Sequence, residues 1–235
     1  MRSLTALALL LPLAAQAQSE DSRPFGPGEH LEYAVSYGPF RVGGLGRLAV
    51  EGPSRLHGED AVLLRFDVEA TIAGQPVAHH ARSWLSTTRF ASLAYEMSEQ
   101  SPIGGGTRRW EWLGSPALPL DELSFIYYLR TLSLPEDGTL CLDRHYDSTR
   151  NPVRIRILRR EKVVLGGVAF RTVLVEMRVR DPQRFAATGG EGALRISFTD
   201  DAARIPVRLE IPSPLGPTLV LELRTPPSTL ARKEP

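Results

Sequence analysis

Apolar and polar residues alternate with a period of two along most of this chain. Between positions 62 and 70, Val62, Leu64, Phe66, Val68 and Ala70 fall on one side, with Arg65, Asp67 and Glu69 on the other, as in a half-buried strand. The same spacing runs through Leu31, Tyr33, Val35 and Tyr37, then Leu93, Tyr95 and Met97, then Val153, Ile155 and Ile157, and finally Leu219, Leu221 and Leu223. Turn signals separate these runs: Gly43-Gly44, His57-Gly58, Gly74-Gln75-Pro76, Gly104-Gly105-Gly106, Glu136-Asp137-Gly138, Gly166-Gly167 and Gly189-Gly190, all residue types that favour turn backbones. Short connections make antiparallel neighbours, so the pattern predicts a meander of about ten to twelve strands with one apolar face and one wet face.

One segment departs from this period. Asp121 follows Pro119-Leu120 and precedes the run 122–132, where it is placed to cap a helix whose first turn carries Glu122 at the positive end of the dipole. Leu123, Ile126 and Tyr127 cover one side, while Phe125, Tyr128, Leu129 and Leu132 continue around the rest. A helix apolar nearly all round is a buried helix. A sheet of this size tends to curl. The predicted fold is therefore mainly β, a large curved antiparallel sheet or partly open barrel with one buried helix packed on its concave face. It is expected to form a single β-rich domain over 28–225, after a lead-in at 18–27 and before a disordered tail at 226–235.

Residues 1–17 have another character. Arg2, the apolar run from Leu4 to Leu13 and the small-residue site Ala15-Gln16-Ala17 read as a signal peptide, which predicts a periplasmic or secreted protein cleaved near Ala17. No cysteine lies there to take a lipid, and no later apolar run is long enough to span a bilayer, so a soluble exported chain is expected. Cleavage would remove Arg2 alone among the charged residues, leaving 27 basic against 27 acidic side chains. Such a balance gives no electrostatic case for nucleic acid or for a strongly anionic surface. Lys162 and Lys233 are the only lysines. Cys141 is the only cysteine, so no internal disulfide can form. It is expected to be a buried structural residue, since His145 would lie about 13 Å away along a strand.

Three blocks in this chain carry a family resemblance: 25–38 with Val42-Gly43, 121–130, and 199–210. Together they resemble an exported bacterial family of uncharacterised proteins, domain of unknown function thirty-one-oh-eight. The resemblance implies an envelope location and a β-rich fold, and it brings no reaction. The sheet-plus-helix outline is also similar to that of periplasmic carriers that move lipoproteins between membranes, an analogy of fold alone.

Candidate chemistry is sparse. Asp143, His145 and Asp147 alternate, but same-face positions on a strand are about 7 Å apart, too wide for three ligands on one ion, and a solvated outer face is the expectation. His79 and His80 should point to opposite faces. Asp200-Asp201 could act as a carboxylate pair, although turn or cap residues neutralised by Arg204 and Arg208 are the stronger reading. Gly43-Gly44-Leu45-Gly46 reads as a bend or bulge. Hydrolase, nucleotide and metalloprotease signatures do not occur. No catalytic residue, metal ligand or cofactor is assigned. Arg154, Arg156, Arg159 and Arg160 could grip a phosphate or carboxylate headgroup, with an outer face opposite acidic neighbours as the default. Arg130 ends an apolar helix and must find a partner, expected to be Asp200 or Asp201 in a structural ion pair.

The leading functional expectation is a noncatalytic binding or carrier module for an acyl chain or other amphiphile. A short helix covers only about 18 Å of a long apolar face, which leaves room for a cavity. Tyr33, Tyr37, Trp84, Tyr95, Trp110, Trp112, Phe125 and Tyr128 are the candidate wall residues, core packing being the default for each. The alternative is an envelope interaction module that docks another protein through a sheet edge or its Pro-rich end. An enzyme ranks third.

Overall fold

The computed structural model describes residues 23–224, except positions 39, 73, 103, 113, 114, 116, 187, 188 and 213–216. The proposed signal peptide and tail lie outside the described residues.

Among the described residues the elements run β1 (His30–Tyr37), β2 (Phe40–Leu56), β3 (Glu59–Ile72), β4 (Gln75–Ser86), β5 (Ser92–Ser101) and β6 (Gly104–Glu111), then α1 (Glu122–Thr131). After the helix come β7 (Leu140–Leu142), β8 (Val153–Leu165), β9 (Val168–Arg180), β10 (Glu191–Thr199), β11 (Pro206–Ile211) and β12 (Leu219–Leu223). All twelve strands form one antiparallel sheet in the order β6-β5-β4-β3-β2-β1-β12-β11-β10-β9-β8-β7. Two six-stranded meanders are thus joined at their middle by β1 and β12, with Tyr33 opposite Leu223 and Val35 opposite Leu221.

Alternation decides which side chains face the core. In β3, Val62, Leu64, Phe66, Val68 and Ala70 are buried while the residues between them are more exposed. The outer face pairs charges across strands, most densely where Arg156, Arg178 and Arg195 surround the fully enclosed carboxylate of Glu176 at 2.8, 2.7 and 3.2 Å. β2 needs its glycines. A Cβ on Gly44 would come 2.9 Å from the backbone carbonyl oxygen of Glu69 on β3, a clash that no side-chain rotation relieves, while one on Gly46 would meet Cδ2 of Leu221 at 2.5 Å. The register also shifts between Ala34 and Ser36, which pair with Leu45 and Arg41, placing the expected bulge at residues 42–44.

The sheet order explains the curl. β6 and β7 are opposite edges, about 50 Å apart if the sheet were flat, yet they are consecutive in the chain. They share no ladder, so the sheet is not closed. The linking backbone bridges them instead: the N–H of Ser92 donates to the carbonyl of Pro119 (2.8 Å), that of Leu120 to Arg144 (2.6 Å) and that of Tyr146 to Leu120 (3.0 Å). Residues 119–121 fill the gap like a short extra strand.

α1 follows directly and packs its side chains into the apolar core of the sheet, next to β3 and β4. Asp121 caps it, accepting from the N–H groups of Leu123 (3.0 Å) and Ser124 (2.9 Å) and from the hydroxyl of Ser83 (2.6 Å). Leu123, Phe125, Ile126, Tyr127 and Leu129 are all buried. An isolated helix of this length is marginal in water. The apolar contacts stabilise it, at about 2 kcal/mol for each large side chain removed from solvent.

Cys141 is exposed, which corrects the expected burial. It sits on the three-residue edge strand β7, where its neighbours Leu140 and Leu142 are the residues packed against the core. His145 also departs from expectation, being 4% exposed rather than on a solvated face. The strand ends at Leu142, and the chain then turns inward to pair with Leu120.

Candidate functional site

The seam between the two sheet edges gathers more aromatic and ionisable groups than the sequence pattern singles out. β5 supplies Tyr95, β6 supplies Trp110 and the chain leaving it supplies Trp112. Tyr146 comes from the other edge and lies against all three, with ring centroids 6.2, 5.5 and 5.2 Å away. His145 stacks on Tyr146 at 4.7 Å, and Phe125 of the helix stacks on His145 at 6.1 Å. Tyr95 is buried, whereas Trp110, Trp112 and Tyr146 are half-buried and present part of their surface at the seam.

A polar group lies beneath these rings. The N–H of Asp147 donates to Nδ1 of His145 (3.0 Å), which leaves Nε2 as the protonated nitrogen of a neutral ring. Burial, then the adjacent Arg150 cation, pushes the imidazole pKa down to about 4. Nε2 is enclosed and makes no hydrogen bond, and Oε1 of Glu122 is 3.8 Å away, beyond bonding distance. Glu122 accepts from Arg150 Nη1 at 3.0 Å through Oε1, while its Oε2 is enclosed without a partner. Although 40% of that side chain is exposed, loss of solvent at the carboxyl raises its pKa to about 7. Arg150 also meets Asp147 at 3.4 Å and Asp181 at 2.9 Å. One buried donor and one buried acceptor therefore stand unpaired under an aromatic rim, inside a cluster with more acidic than basic groups.

Tyr95, Trp110 and Trp112, expected as wall residues, come together here. The others do not join them. Tyr33 and Phe125 are fully buried core residues, and the Tyr33 hydroxyl donates to the carbonyl of Pro206 at 2.8 Å. Tyr37 ends β1 half-buried. Tyr128 packs on Phe90 at 5.2 Å and beneath the Arg144 guanidinium at 4.8 Å. Trp84 lies on the outer face under Arg109, 4.9 Å from its ring, because Ser83 takes the inward position to reach Asp121.

Arg130 pairs with Glu29, in two bonds of 2.6 and 2.8 Å, and also donates to the carbonyls of Pro24 (2.8 Å) and Ala203 (3.1 Å). It does not reach Asp200 or Asp201. Asp200 binds Arg160, and Asp201 accepts from Thr199, Ala203 and Arg204 within its turn. Arg154, Arg156, Arg159 and Arg160 each meet an acidic neighbour, Glu191, Glu176, Glu161 and Glu136 respectively. Asp143 is exposed. His79 approaches Glu99 at 3.4 Å and His80 binds Asp67 at 2.7 Å on opposite faces of β4. Among the described residues no group of three His, Cys, Asp or Glu side chains is placed to hold a metal, and no helix is long and apolar enough to cross a membrane. An open depression of about 550 Å³ over Gly44, Glu69, Pro76 and His80, and another of about 250 Å³ at β8 and β9, are both lined without any residue of α1.

Residues 32–224 match the family described as protein of unknown function (DUF3108). The chain belongs to this family. No curated protein and no solved structure matches it. The three sequence blocks that carry the DUF3108 resemblance converge at the end of α1: Arg130 of the second binds Glu29 of the first and the carbonyl of Ala203 in the third.

Proposed function

We propose that this DUF3108 protein is an exported, noncatalytic module that binds an amphiphile at the β6/β7 seam, with the apolar part on Tyr95, Trp110, Trp112 and Tyr146. The signal-like segment 1–17 supports export. The observation that carries the binding reading is the unpaired couple His145 Nε2 and Glu122 Oε2, both enclosed beside that aromatic surface. An orphaned buried donor and acceptor are costly unless a partner arrives. A hydroxyl, which donates and accepts at once, satisfies both, and the acidic excess around Arg150 disfavours phosphate or carboxylate heads. Leu123, Phe125, Ile126, Tyr127 and Leu129 of the helix are buried against the sheet, and the ligand is placed along the seam, where the half-buried rings are accessible.

Tryptophan fluorescence tests the reading. In a Trp84→Phe background, the remaining tryptophans are Trp110 and Trp112, both at the seam. Titration with dodecyl maltoside below its micellar concentration should shift their emission. Glu122→Ala or Trp112→Ala should weaken that response about tenfold, the worth of one lost charge-assisted hydrogen bond or aromatic contact. A titration that leaves the emission unchanged, or native mass spectra of the extracted protein showing only a stoichiometric protein partner, would sink the proposal.

A further inference from the structure

The hairpin joining β8 and β9 ends in a feature that the seam does not use. Gly166 and Gly167 both take positive φ, 55° and 84°, the backbone of a tight two-residue turn. Among the described residues, the large apolar side chains that are exposed are the two flanking this tip, Val164 at 63% and Val168 at 40%. One face of the hairpin is packed, with Leu165 and Phe170 buried and Val168 at its outer end opposite Leu165. The other presents Val164 opposite Ala169 and, one step back, Lys162 opposite Arg171.

Two like charges directly opposite one another on neighbouring strands repel. The other arginines of β8 are compensated: Arg154, Arg156, Arg159 and Arg160 have acidic partners. Lys162 and Arg171 have none among the described residues. They line the depression of about 250 Å³ together with Arg160, Glu161, Thr172 and Asp200, whose two acids are held by Arg159 and Arg160. A pair of adjacent, uncompensated cations behind an apolar tip calls for an anionic partner with an apolar interior.

We propose that this hairpin docks the protein end-on at the surface of a bilayer containing anionic lipid, its tip carrying Val164 and Val168, from opposite faces of the hairpin, to the acyl boundary while Lys162 and Arg171 stay at the phosphate level. The spacing fits. Lys162 lies two residues behind Val164, about 7 Å along the strand, and the headgroup layer of one leaflet is about 5–7 Å deep. An acidic protein would meet the same cations, but a tip of two valines offers far less than the roughly 800 Å² per partner of a stable protein interface.

Vesicle co-sedimentation decides the matter, using the chain from residue 18 onward because all described structure lies within 23–224. The protein should sediment with vesicles of phosphatidylcholine mixed with phosphatidylglycerol, sediment far less with phosphatidylcholine alone, and be released by salt. Lys162→Gln with Arg171→Gln should weaken binding about twenty-five-fold, at about fivefold per cation. Val164→Ser with Val168→Ser should weaken it about tenfold through lost apolar burial. All four positions are exposed, so both double variants should melt at the wild-type temperature. The proposal fails if the wild type stays in the supernatant with mixed vesicles, or if either double variant sediments as well as the wild type. It also fails if soluble polyglutamate competes fully while the valine variant is unaffected, the outcome for an acidic protein partner.

Discussion

The guanidinium of Arg130 is buried, with only 1% of its side chain meeting water. Its two bonds to Glu29 and its carbonyl acceptors make that tolerable, and Arg130→Met would strand Glu29 inside the junction. Urea denaturation should show a loss of about 3 kcal/mol, and Glu29→Met added to Arg130→Met should restore part of it, because removing both charges costs less than removing one. Glu122 gives a pH signature. Its carboxyl, normally titrating at 4.5, is held near 7 in the fold. The folded state therefore holds the proton more tightly, and the stability this contributes is present below pH 4.5 and is lost as pH rises through 7. His145 opposes it: with a pKa lowered from 6.5 to about 4, its contribution is present above pH 6.5 and lost as pH falls through 4. In Glu122→Gln only the histidine slope remains. Thermal melts should show the variant gaining on the wild type between about pH 4.5 and 7, with a constant gap above that range. A gap that does not change with pH would show that the carboxyl is not held near 7.

At the scale of elements, α1 depends on its cap. Asp121→Ala removes the acceptor for two helix N–H groups and the Ser83 hydroxyl together, and should cost about 3 kcal/mol, with Asp121→Asn intermediate because it keeps one acceptor oxygen. The seam depends on residues 119–121. Leu120→Pro deletes the N–H that donates to Arg144, and hydrogen exchange should then speed up at Tyr146 while the centre of the β2/β3 ladder stays protected. The element pattern was readable in advance because alternation and the Asp121 cap involve residues close in sequence. It predicts about ten to twelve strands and a helix within 122–132, against the twelve strands and the Glu122–Thr131 helix observed, although Gly43-Gly44, expected as a turn, lies inside β2. Tyr146 and Glu122 were not readable as site residues. Tyr146 sits in an irregular stretch with no period, and Glu122 looks like any acidic residue in a first helical turn.

For the whole molecule, charge shows how a sum conceals a pattern. Residues 18–235 balance 27 basic against 27 acidic side chains, which argued against an anionic surface, yet folding pairs the other β8 cations and leaves Lys162 beside Arg171 at one tip. The arginine cluster of β8 is compensated, and Lys162, two residues beyond it, lies opposite Arg171 with no acidic partner for either among the described residues. By itself the sequence determined the β-rich class, the strand pattern, the buried helix and the family, because side-chain periodicity and capping are local and survive any arrangement of the pieces. Tertiary structure alone decided that β1 pairs with β12, that Arg130 finds Glu29 across 101 positions, and that Trp110 meets Tyr146. Those contacts depend on how far twelve twisted strands curl before the 119–121 segment spans their edges, a length set by accumulated twist and packing that no single stretch of residues encodes.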